Sequence, residues 1–338
     1  MPVPSGALRF NSDSRKLEYY NGEAWWQIDS FTPDSATGGA RGVFGGGILS
    51  PGATNTINYI NISSTGNSQD FGDLIEIRST PGSCSSSTRG IWAGGVNPTP
   101  AYSNTIDFVT ISSTGNAQDF GDLPVNRRIL SGCSSSTRGL FGGGYQGPGA
   151  AYNTIEYITI SATGNAVDFG DLTVARYGLA SFSSPVRGVW AGGYGAPSYR
   201  NTIDYVTIST LGNATDFGDV GVSSYYLSGC ANPIRGIYTE GIGPSSGIVN
   251  TVSYVTIAST GNGVKFGDLT TRRWATGSCS SSTRGVFAGG LDTSPTSATT
   301  NIIDYVSILT QGNAVDFGDL IGGNYGYVAG CSNAHGGL

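Results

Sequence analysis

The chain has 338 residues and a net charge of −6, and only 12% of its residues are charged, which predicts a surface rich in serine, threonine, asparagine and glycine. The acidic balance argues against a nucleic-acid partner, because proteins that bind nucleic acids carry a clustered basic surface. No apolar run of about 18 residues occurs, so the sequence predicts no membrane insertion.

The first 30 residues have the composition of short strands. Residues 7–28 are interpreted as two or three strands joined by turns at residues 11–14 and 21–22. A unit of this size cannot build its own core, so we expect its apolar side chains to pack on another surface. Residues 1–30 are therefore predicted to form a β-hairpin module for attachment and oligomerisation, and the side chains expected in that contact are Phe10, Leu17, Trp25 and Trp26.

Residues 31–338 are dominated by six copies of one pattern. Each copy begins with an Arg-Gly pair and an apolar run, continues with a phrase such as Asn-Thr-Ile-Asp-Tyr-Val-Thr-Ile, and ends with Gly-Asn and Asp-Phe-Gly-Asp, which is Lys-Phe-Gly-Asp in the fifth copy. Successive copies are 48 or 49 residues apart, and their arginines are Arg41, Arg89, Arg138, Arg187, Arg235 and Arg284. A period of this length indicates one repeat fold rather than several unrelated domains.

Each copy contains four short segments typical of strands. Residues 153–162 are β-branched and aromatic, Gly164 and Asn165 suit a tight turn, and residues 166–172 read as a further strand. The apolar run after Arg187 stops at a glycine pair, as buried strands do. No segment has a helical period, so the sequence predicts an all-β fold, namely a six-bladed β-propeller over residues 31–338.

The two ends of this region are expected to meet. The first strand of each blade precedes an Arg-Gly pair, and the sequence supplies five such strands internally. The sixth is found near the C-terminus, in residues 323–333. We therefore expect the C-terminal strand to complete the blade that begins at Arg41 and to close the ring, which removes exposed sheet edges.

Two sets of residues are expected in the core. Aromatic residues that recur once per copy are predicted to pack between blades: Phe71, Phe120, Phe169, Phe217, Phe266 and Phe317, with Tyr59, Phe108, Tyr157, Tyr205, Tyr254 and Tyr305. The cysteines share one repeat position and are predicted to be small buried side chains rather than disulfides: Cys84, Cys133, Cys230, Cys279 and Cys331.

The pattern resembles the kelch repeat, which has a strand ending in Gly-Gly, a later tyrosine, a further aromatic and an arginine before the next inner strand. Here phenylalanine stands where kelch repeats usually have tryptophan. The wording RGVFAGG, NTIDYVTISSTGNAQDFGDL and CSSST is more similar to kelch-type repeats in structural and tail-fibre proteins of marine bacteriophages, and residues 1–30 are similar to a hairpin module of phage tail fibres.

This resemblance implies a structural protein of the virion, located in the tail or another external appendage and made in the host cytoplasm. It also implies contacts with other virion proteins through residues 1–30 and assembly as a homotrimer.

The sequence predicts no enzyme, cofactor or metal site. Asp-Phe-Gly recurs without the other motifs of a kinase and is interpreted as a strand end followed by a turn. His335 is the only imidazole available to activate a serine or cysteine nucleophile. Calcium binding by the aspartates that recur from Asp73 to Asp319 stays a weaker alternative.

The copies differ from one another mainly in two sets of loops. Each loop is named by the two strands that it connects, counted 1 to 4 within a blade. Loops 1–2 and 3–4 are expected on one face and are nearly uniform, as in Ser-Ser-Ser-Thr and Ser-Thr-Gly-Asn. Loops 2–3 and 4–1, the latter including residues 126–128, 224–226 and 272–274, vary and are expected on the other face. Residues of this variable face predicted to bind a host-surface glycan or protein are Tyr145, Tyr152, Tyr194, Tyr199, Arg200 and Trp274.

Three alternatives to an adhesin remain open at this point. The loops could vary by neutral drift, because loops are released from packing constraints. The protein could decorate a capsid or tail without binding the host. It could also be a glycan-active enzyme of propeller fold, although its unique acidic residues form no recognisable pair.

Overall fold

The computed structural model describes residues 3–11, 16–28, 40–49, 52–99, 101–147, 151–244, 247–292 and 298–338. Within these ranges the chain forms strands and turns without a helix, so the predicted all-β class is confirmed. It follows that no described helix could cross a membrane. Backbone contacts divide the chain into Met1–Gly39 and Ala40–Leu338. The predicted boundary at residue 30 lies outside the described residues.

Met1–Gly39 contains one three-stranded antiparallel sheet, in the order β1 (Leu8–Asn11), β2 (Lys16–Tyr20), β3 (Trp25–Ile28). The side-chain oxygen Oδ1 of Asn21 accepts hydrogen bonds from the backbone amides of Glu23 and Ala24, each at 2.8 Å. This local bonding explains why the predicted Asn-Gly turn reverses the chain between β2 and β3.

Ala40–Leu338 contains the repeats. Repeat 1 comprises β4 (Arg41–Gly45), β5 (Ile48–Leu49), β6 (Gly52–Ala53), β7 (Thr56–Asn61) and β8 (Gln69–Asp73). Repeat 2 comprises β9 (Gly82–Ser85), β10 (Arg89–Ala93), β11 (Thr105–Thr110) and β12 (Gln118–Asp122). Repeat 3 comprises β13 (Ser131–Ser134), β14 (Arg138–Gly142), β15 (Thr154–Thr159) and β16 (Val167–Asp171).

The later repeats follow the same order with short additional ribbons. Repeat 4 comprises β17 (Ala180–Ser183), β18 (Arg187–Ala191), β19 (Tyr194–Gly195), β20 (Ser198–Tyr199), β21 (Thr202–Thr207) and β22 (Thr215–Asp219). Repeat 5 comprises β23 (Gly229–Ala231), β24 (Arg235–Thr239), β25 (Ile242–Gly243), β26 (Gly247–Ile248), β27 (Thr251–Thr256) and β28 (Val264–Asp268). Repeat 6 comprises β29 (Gly277–Ser280), β30 (Arg284–Ala288), β31 (Leu291–Asp292), β32 (Ala298–Thr299), β33 (Ile302–Ser307) and β34 (Val315–Asp319), and the chain ends with β35 (Tyr325–Gly326) and β36 (Ala329–Ser332).

The described strands include six four-stranded antiparallel sheets, an arrangement that is β-propeller-like. Sheets 2 to 6 each use four strands of one repeat, whereas sheet 1 has the order β36-β4-β7-β8 and so combines both ends of Ala40–Leu338. In each sheet, the edge strand that pairs with the strand of the Arg-Gly pair is called the inner strand. The inner strands of sheets 1 to 6 are β36, β9, β13, β17, β23 and β29. Each inner strand contacts the inner strands of two other sheets, and β36 contacts β9 and β29.

Serine hydroxyls link neighbouring inner strands. Ser134 Oγ donates to the Ser85 carbonyl at 2.6 Å, and Ser85 Oγ donates to the Ser332 carbonyl at 2.8 Å. Ser134 and Ser135 are buried, whereas Ser136 and Thr137 are exposed, so only the second half of the Ser-Ser-Ser-Thr segment is a surface loop. These serines recur because each satisfies a backbone carbonyl that would otherwise be buried without a partner.

The arginine of each Arg-Gly pair joins its sheet to the next sheet. Arg89 Nη1 donates to the Ile160 carbonyl at 2.8 Å, and its guanidinium lies 4.5 Å from the centre of the Phe108 ring. Arg284 makes the equivalent bond to Ile62 of repeat 1 at 2.9 Å. The six donors to these carbonyls are Arg41, Arg89, Arg138, Arg187, Arg235 and Arg284.

Buried ion pairs form a second link between sheets. Arg176 Nη2 lies 2.9 Å from Asp204 Oδ2, and both side chains are fully buried. The pairs join repeats 1 to 2, 2 to 3, 3 to 4 and 5 to 6: Arg78–Asp107, Arg127–Glu156, Arg176–Asp204 and Arg273–Asp304. Arg127 and Arg273 therefore do not belong to the variable surface, although their loops were assigned to it from the sequence.

The predicted core is confirmed at the phenylalanine and cysteine positions. Phe169 is only 2% exposed, and the Tyr157 ring meets it edge-on at 6.1 Å. All five cysteines are free and buried. Burial raises the pKa of Cys133 to about 12, so its thiol stays protonated at neutral pH. A Cβ atom at Gly188 would lie 2.9 Å from Cys133 Sγ, which explains the glycine of the Arg-Gly pair.

Candidate recognition site

The variable loops meet through backbone pairing. The 4–1 connection of one repeat pairs with the 2–3 loop of the following repeat, as at Arg128 with Tyr145 and at Tyr177 with Tyr194. The amide of Arg128 donates to the Tyr145 carbonyl at 3.0 Å, and the reverse bond is 2.9 Å. Both sets of variable loops therefore lie at the same end of the sheets.

A cavity lies among the inner strands at this end, with about 620 Å³ of empty space that includes open solvent. One residue per repeat with positive φ lines it: Thr80, Ile129, Gly178, Tyr226, Ala275 and Tyr327. The amide of Ile129 donates to the Thr80 carbonyl at 3.0 Å, and the amide of Thr80 donates to the Tyr327 carbonyl at 3.2 Å. These bonds hold non-glycine residues in a conformation that they rarely adopt.

Aromatic side chains form a continuous series at this end of the sheets, and two of them, Tyr226 and Tyr327, line the cavity. We call it the aromatic arc. Neighbouring ring centres are 4.4 to 6.5 Å apart, within the usual range for interacting rings. All its rings are partly exposed, and its members are Tyr102, Tyr145, Tyr177, Tyr194, Tyr199, Tyr225, Tyr226, Trp274 and Tyr327.

Arg128 lies beside this arc with its charge unpaired. Its guanidinium carbon is 5.5 Å from the centre of the Tyr102 ring and 5.6 Å from that of Tyr145. Arg128 forms none of the ion pairs seen among the described residues, and its buried Nε has no hydrogen-bond partner there. Its positive charge is close enough to lower the pKa of Tyr226 and Tyr177 against the larger effect of burial.

Four hydroxyls of the arc, those of Tyr177, Tyr225, Tyr226 and Tyr327, are neutral at physiological pH. Burial and the nearby Tyr225 raise the pKa of Tyr226 to about 12. Burial likewise raises the pKa values of Tyr177, Tyr225 and Tyr327 above their ordinary value. Each of these hydroxyls therefore retains its proton; Tyr226 and Tyr327 are hydrogen-bonded to each other, and Tyr177 and Tyr225 can donate to a ligand.

The structure brings together four of the six residues predicted on the variable face. Tyr145, Tyr194, Tyr199 and Trp274 belong to the arc. Tyr152 instead bonds Gln146 through its hydroxyl and packs 5.9 Å from Arg127, and Arg200 donates to the Gly195 carbonyl at 3.0 Å within its own loop.

Sequence reasoning did not single out the other five members of the arc or Arg128. The variable 4–1 connections contained a signal for most of them, because Arg128, Tyr225 and Tyr226 lie in segments that differ between copies.

The residues predicted for attachment lie in the N-terminal sheet. Trp25 is partly buried, with the Arg9 guanidinium 4.1 Å from its ring centre and the Tyr20 ring at 5.3 Å. Trp26 is 55% exposed in the single chain. Phe10 and Leu17 are opposite each other on β1 and β2, but their side chains lie outside those described. Their burial between subunits stays a prediction.

The serine hydroxyl beside the imidazole of His335 already donates to a backbone carbonyl, since Ser134 Oγ is 2.6 Å from the Ser85 carbonyl oxygen. The Nε2 atom of His335 is 2.9 Å from the Ser85 carbonyl oxygen and 3.2 Å from Ser134 Oγ, and burial lowers the pKa of this imidazole to about 4. The two serines that His335 contacts, Ser85 and Ser134, lie on the inner strands β9 and β13. Across the described ranges, no group of three or more His, Cys, Asp or Glu residues is placed to hold a metal ion.

No model of a known protein family matches the chain, and no curated protein matches it. These comparisons therefore do not connect the chain to kelch repeats or to phage proteins.

Proposed function

We propose that the six sheets are the blades of one closed β-propeller. Three kinds of contact that link successive repeats also link repeat 6 to repeat 1. These are the bond from Arg284 to Ile62, the bond from the Asp319 amide to Asn67 Oδ1 at 3.0 Å, and the contact of β29 with β36. The C-terminal strand then acts as the inner strand of the first blade, and no inner strand lacks a neighbour.

We propose that this propeller is a binding protein, not an enzyme, and that it recognises material on a host-cell surface through the aromatic arc. The observation that supports this is the concentration of nine partly exposed aromatic rings at the end where the repeats differ. Rigid aromatic side chains provide contact area at a low cost in entropy. A scaffold repeated six times holds them in fixed positions.

The resemblance of the repeats to phage tail-fibre proteins supports a location on a virion appendage. In that setting residues 1–30 would bind other virion proteins in a homotrimer, and the arc would face outward. The rival structural role, decoration of a capsid or tail, predicts that the arc contacts a neighbouring virion protein. Imaging intact particles labelled with an antibody whose epitope is the aromatic arc distinguishes the two, because only the adhesin leaves the arc accessible.

Adsorption to cells tests the proposed recognition. Purified protein is incubated with a panel of marine bacterial cells, and bound protein is measured. We expect Tyr145→Ala with Tyr199→Ala to abolish binding while melting stays close to that of the original protein. The matched control is Ser112→Ala with Ser113→Ala, exposed residues of a 3–4 loop. Equal adsorption of both variants, or no adsorption of the original protein, would rule out recognition through this face.

A further inference from the structure

We propose that the ligand of the aromatic arc is an acidic glycan whose anionic group binds Arg128. This inference rests on the proposed function and specifies the ligand class. It follows from the chemistry of the arc and of Arg128 rather than from the fold.

The arc is suited to saccharide rings because of the kind of aromatic residue it contains. Eight of its nine members are tyrosines, which combine an apolar ring with a hydroxyl. Aromatic faces pack on the C–H faces of sugar rings, and tyrosine hydroxyls can exchange hydrogen bonds with sugar hydroxyls. Tyrosine, tryptophan and arginine also dominate protein–protein contacts, so protease treatment of the cells is part of the test below.

Arg128 supplies the preference for an anion. Its guanidinium carbon lies 5.5 and 5.6 Å from two ring centres of the arc, no ion pair among the described residues includes it, and its charge acts on Tyr177, Tyr226 and Tyr327. A guanidinium and several protonated hydroxyls are all donors, so together they match the acceptor oxygens of a carboxylate or sulfate. Neutral sugars would leave the donors of Arg128 unpaired and would lose that contribution.

Arg128 differs from the arginines of the Arg-Gly pairs, each of which donates to a backbone carbonyl. Arg89 and Arg138 also stack on rings, but each donates to a carbonyl oxygen of the next repeat, at 2.8 and 3.0 Å. Arg128 also lies over aromatic rings, at 5.5 and 5.6 Å from their centres, but among the described residues no carbonyl accepts from its guanidinium. Its position therefore fixes a charged donor where an external acceptor can reach it.

Binding to defined polymers tests the proposal with the full-length protein. The probes are hyaluronan, which carries carboxylates, dextran sulfate, uncharged dextran, and poly-L-glutamate, which is a polyanion without sugar rings. Affinities are measured by biolayer interferometry or calorimetry at low and physiological salt. We expect at least one of the two acidic glycans to bind roughly tenfold or more tightly than dextran and poly-L-glutamate. The acidic polymer that binds shows whether carboxylate or sulfate is preferred.

Variants separate the role of Arg128 from a general effect of charge. We expect Arg128→Gln to weaken acidic-glycan binding about tenfold or more, and Arg128→Lys to weaken it less, because lysine keeps the charge but not the planar donor pair. Lys265→Gln removes an exposed cation from an outer strand and should leave binding unchanged. Tyr177→Phe removes one hydroxyl donor but keeps the ring, so it supplies a second test if Arg128→Gln fails to fold.

Several outcomes would overturn the proposal. Equal affinity for dextran, equal affinity for poly-L-glutamate, or binding that is insensitive to both Arg128→Gln and Tyr177→Phe would each exclude an acidic glycan held by Arg128. If none of the polymers binds while Tyr145→Ala with Tyr199→Ala still abolishes adsorption to cells, the glycan inference fails and the proposed function stands. Adsorption that survives removal of surface polysaccharide but not protease treatment would identify a protein partner instead.

Discussion

Arginine and tyrosine are used in opposite ways at the junctions between sheets and in the aromatic arc. At a junction, Arg138 stacks 4.9 Å from the centre of the Tyr157 ring and also donates to the Ile208 carbonyl of the next repeat. In the arc, Arg128 lies 5.6 Å from the centre of the Tyr145 ring but has no acceptor within the described ranges. The same pair of residue types therefore completes the fold in one place and remains available to a ligand in the other.

This difference shows which arginines and tyrosines of a repeat protein are candidates for function. Residues that recur in every copy have their hydrogen-bonding capacity satisfied by the neighbouring copy, so their conservation among copies reflects assembly. Some residues that occur once at the end where copies differ, such as Arg128, have capacity left over among the described residues, whereas Tyr152 and Arg200 bond within their own loops. Loss of a junction residue should reduce stability, whereas loss of an arc residue should reduce binding.

The largest loss of stability is expected from removal of residues 321–338. This deletion takes away β36, so sheet 1 loses its inner strand, and the neighbours β9 and β29 lose a packed surface. We expect aggregation or a much lower melting temperature, measured by calorimetry and light scattering. A chain that lacks only Leu338 is the control. Melting of the truncated chain at the original temperature would contradict the proposed closure.

Replacing a buried ring at a junction should have the next largest effect. Phe169→Ala should lower the free energy of unfolding by about 3–5 kcal/mol, because it leaves a cavity between sheets. Asp168→Asn is the matched change at the exposed neighbouring position and should alter this free energy by less than about 0.5 kcal/mol. Chemical denaturation of both variants measures the difference, and equal stabilities would show that Phe169 is not a core residue.

The buried ion pairs can be tested against a junction of the same protein that has two serines instead of an ion pair. Asp204→Asn should lower the free energy of unfolding by about 3 kcal/mol, because Arg176 keeps its charge in a buried site. Repeats 4 and 5 have Ser224 and Ser253 at the equivalent positions. Combining Arg176→Ser with Asp204→Ser should therefore cost less than the two single changes together. A double-mutant cycle without any coupling energy would contradict this.

The smallest effect is a pH dependence that arises from His335. Its pKa is lowered to about 4 in the folded protein, whereas an unfolded histidine titrates near 6.5. The unfolded chain therefore binds more protons between these values, and stability should fall as the pH drops from about 6.5 to 4, by about 1 kcal/mol per pH unit. His335→Gln should remove this part of the dependence in melting curves. An identical pH profile for both proteins would show that His335 is not responsible.

The sequence contained a signal for the ion pairs. Recognising it required knowing which position of one repeat lies beside which position of the next repeat. Arginine occurs in the 4–1 connection of a repeat wherever the next repeat has aspartate or glutamate in its third strand, as with Arg176 and Asp204. Both are replaced together at Ser224 and Ser253, and at Tyr325 and Asn58. Side-chain alternation alone did not reveal this relation, because it assigns a charged residue to the exposed side of a strand.

The sequence by itself determined the all-β class, the six repeats, the buried phenylalanines and the end of the sheets at which the copies differ. These follow from local chemistry, since β-branched residues form strands, Gly-Asn forms turns, and a fixed period places equivalent residues in equivalent positions.

Only the tertiary structure decided which variable residues meet. Tyr226 and Tyr327 are about a hundred residues apart in the chain, yet their ring centres are 5.4 Å apart. Tertiary packing also decided that Arg127 is buried on Glu156 while its neighbour Arg128 remains without an acceptor. Adjacent residues of a strand or loop point to opposite sides, and the side that is buried depends on the sheet packed against it.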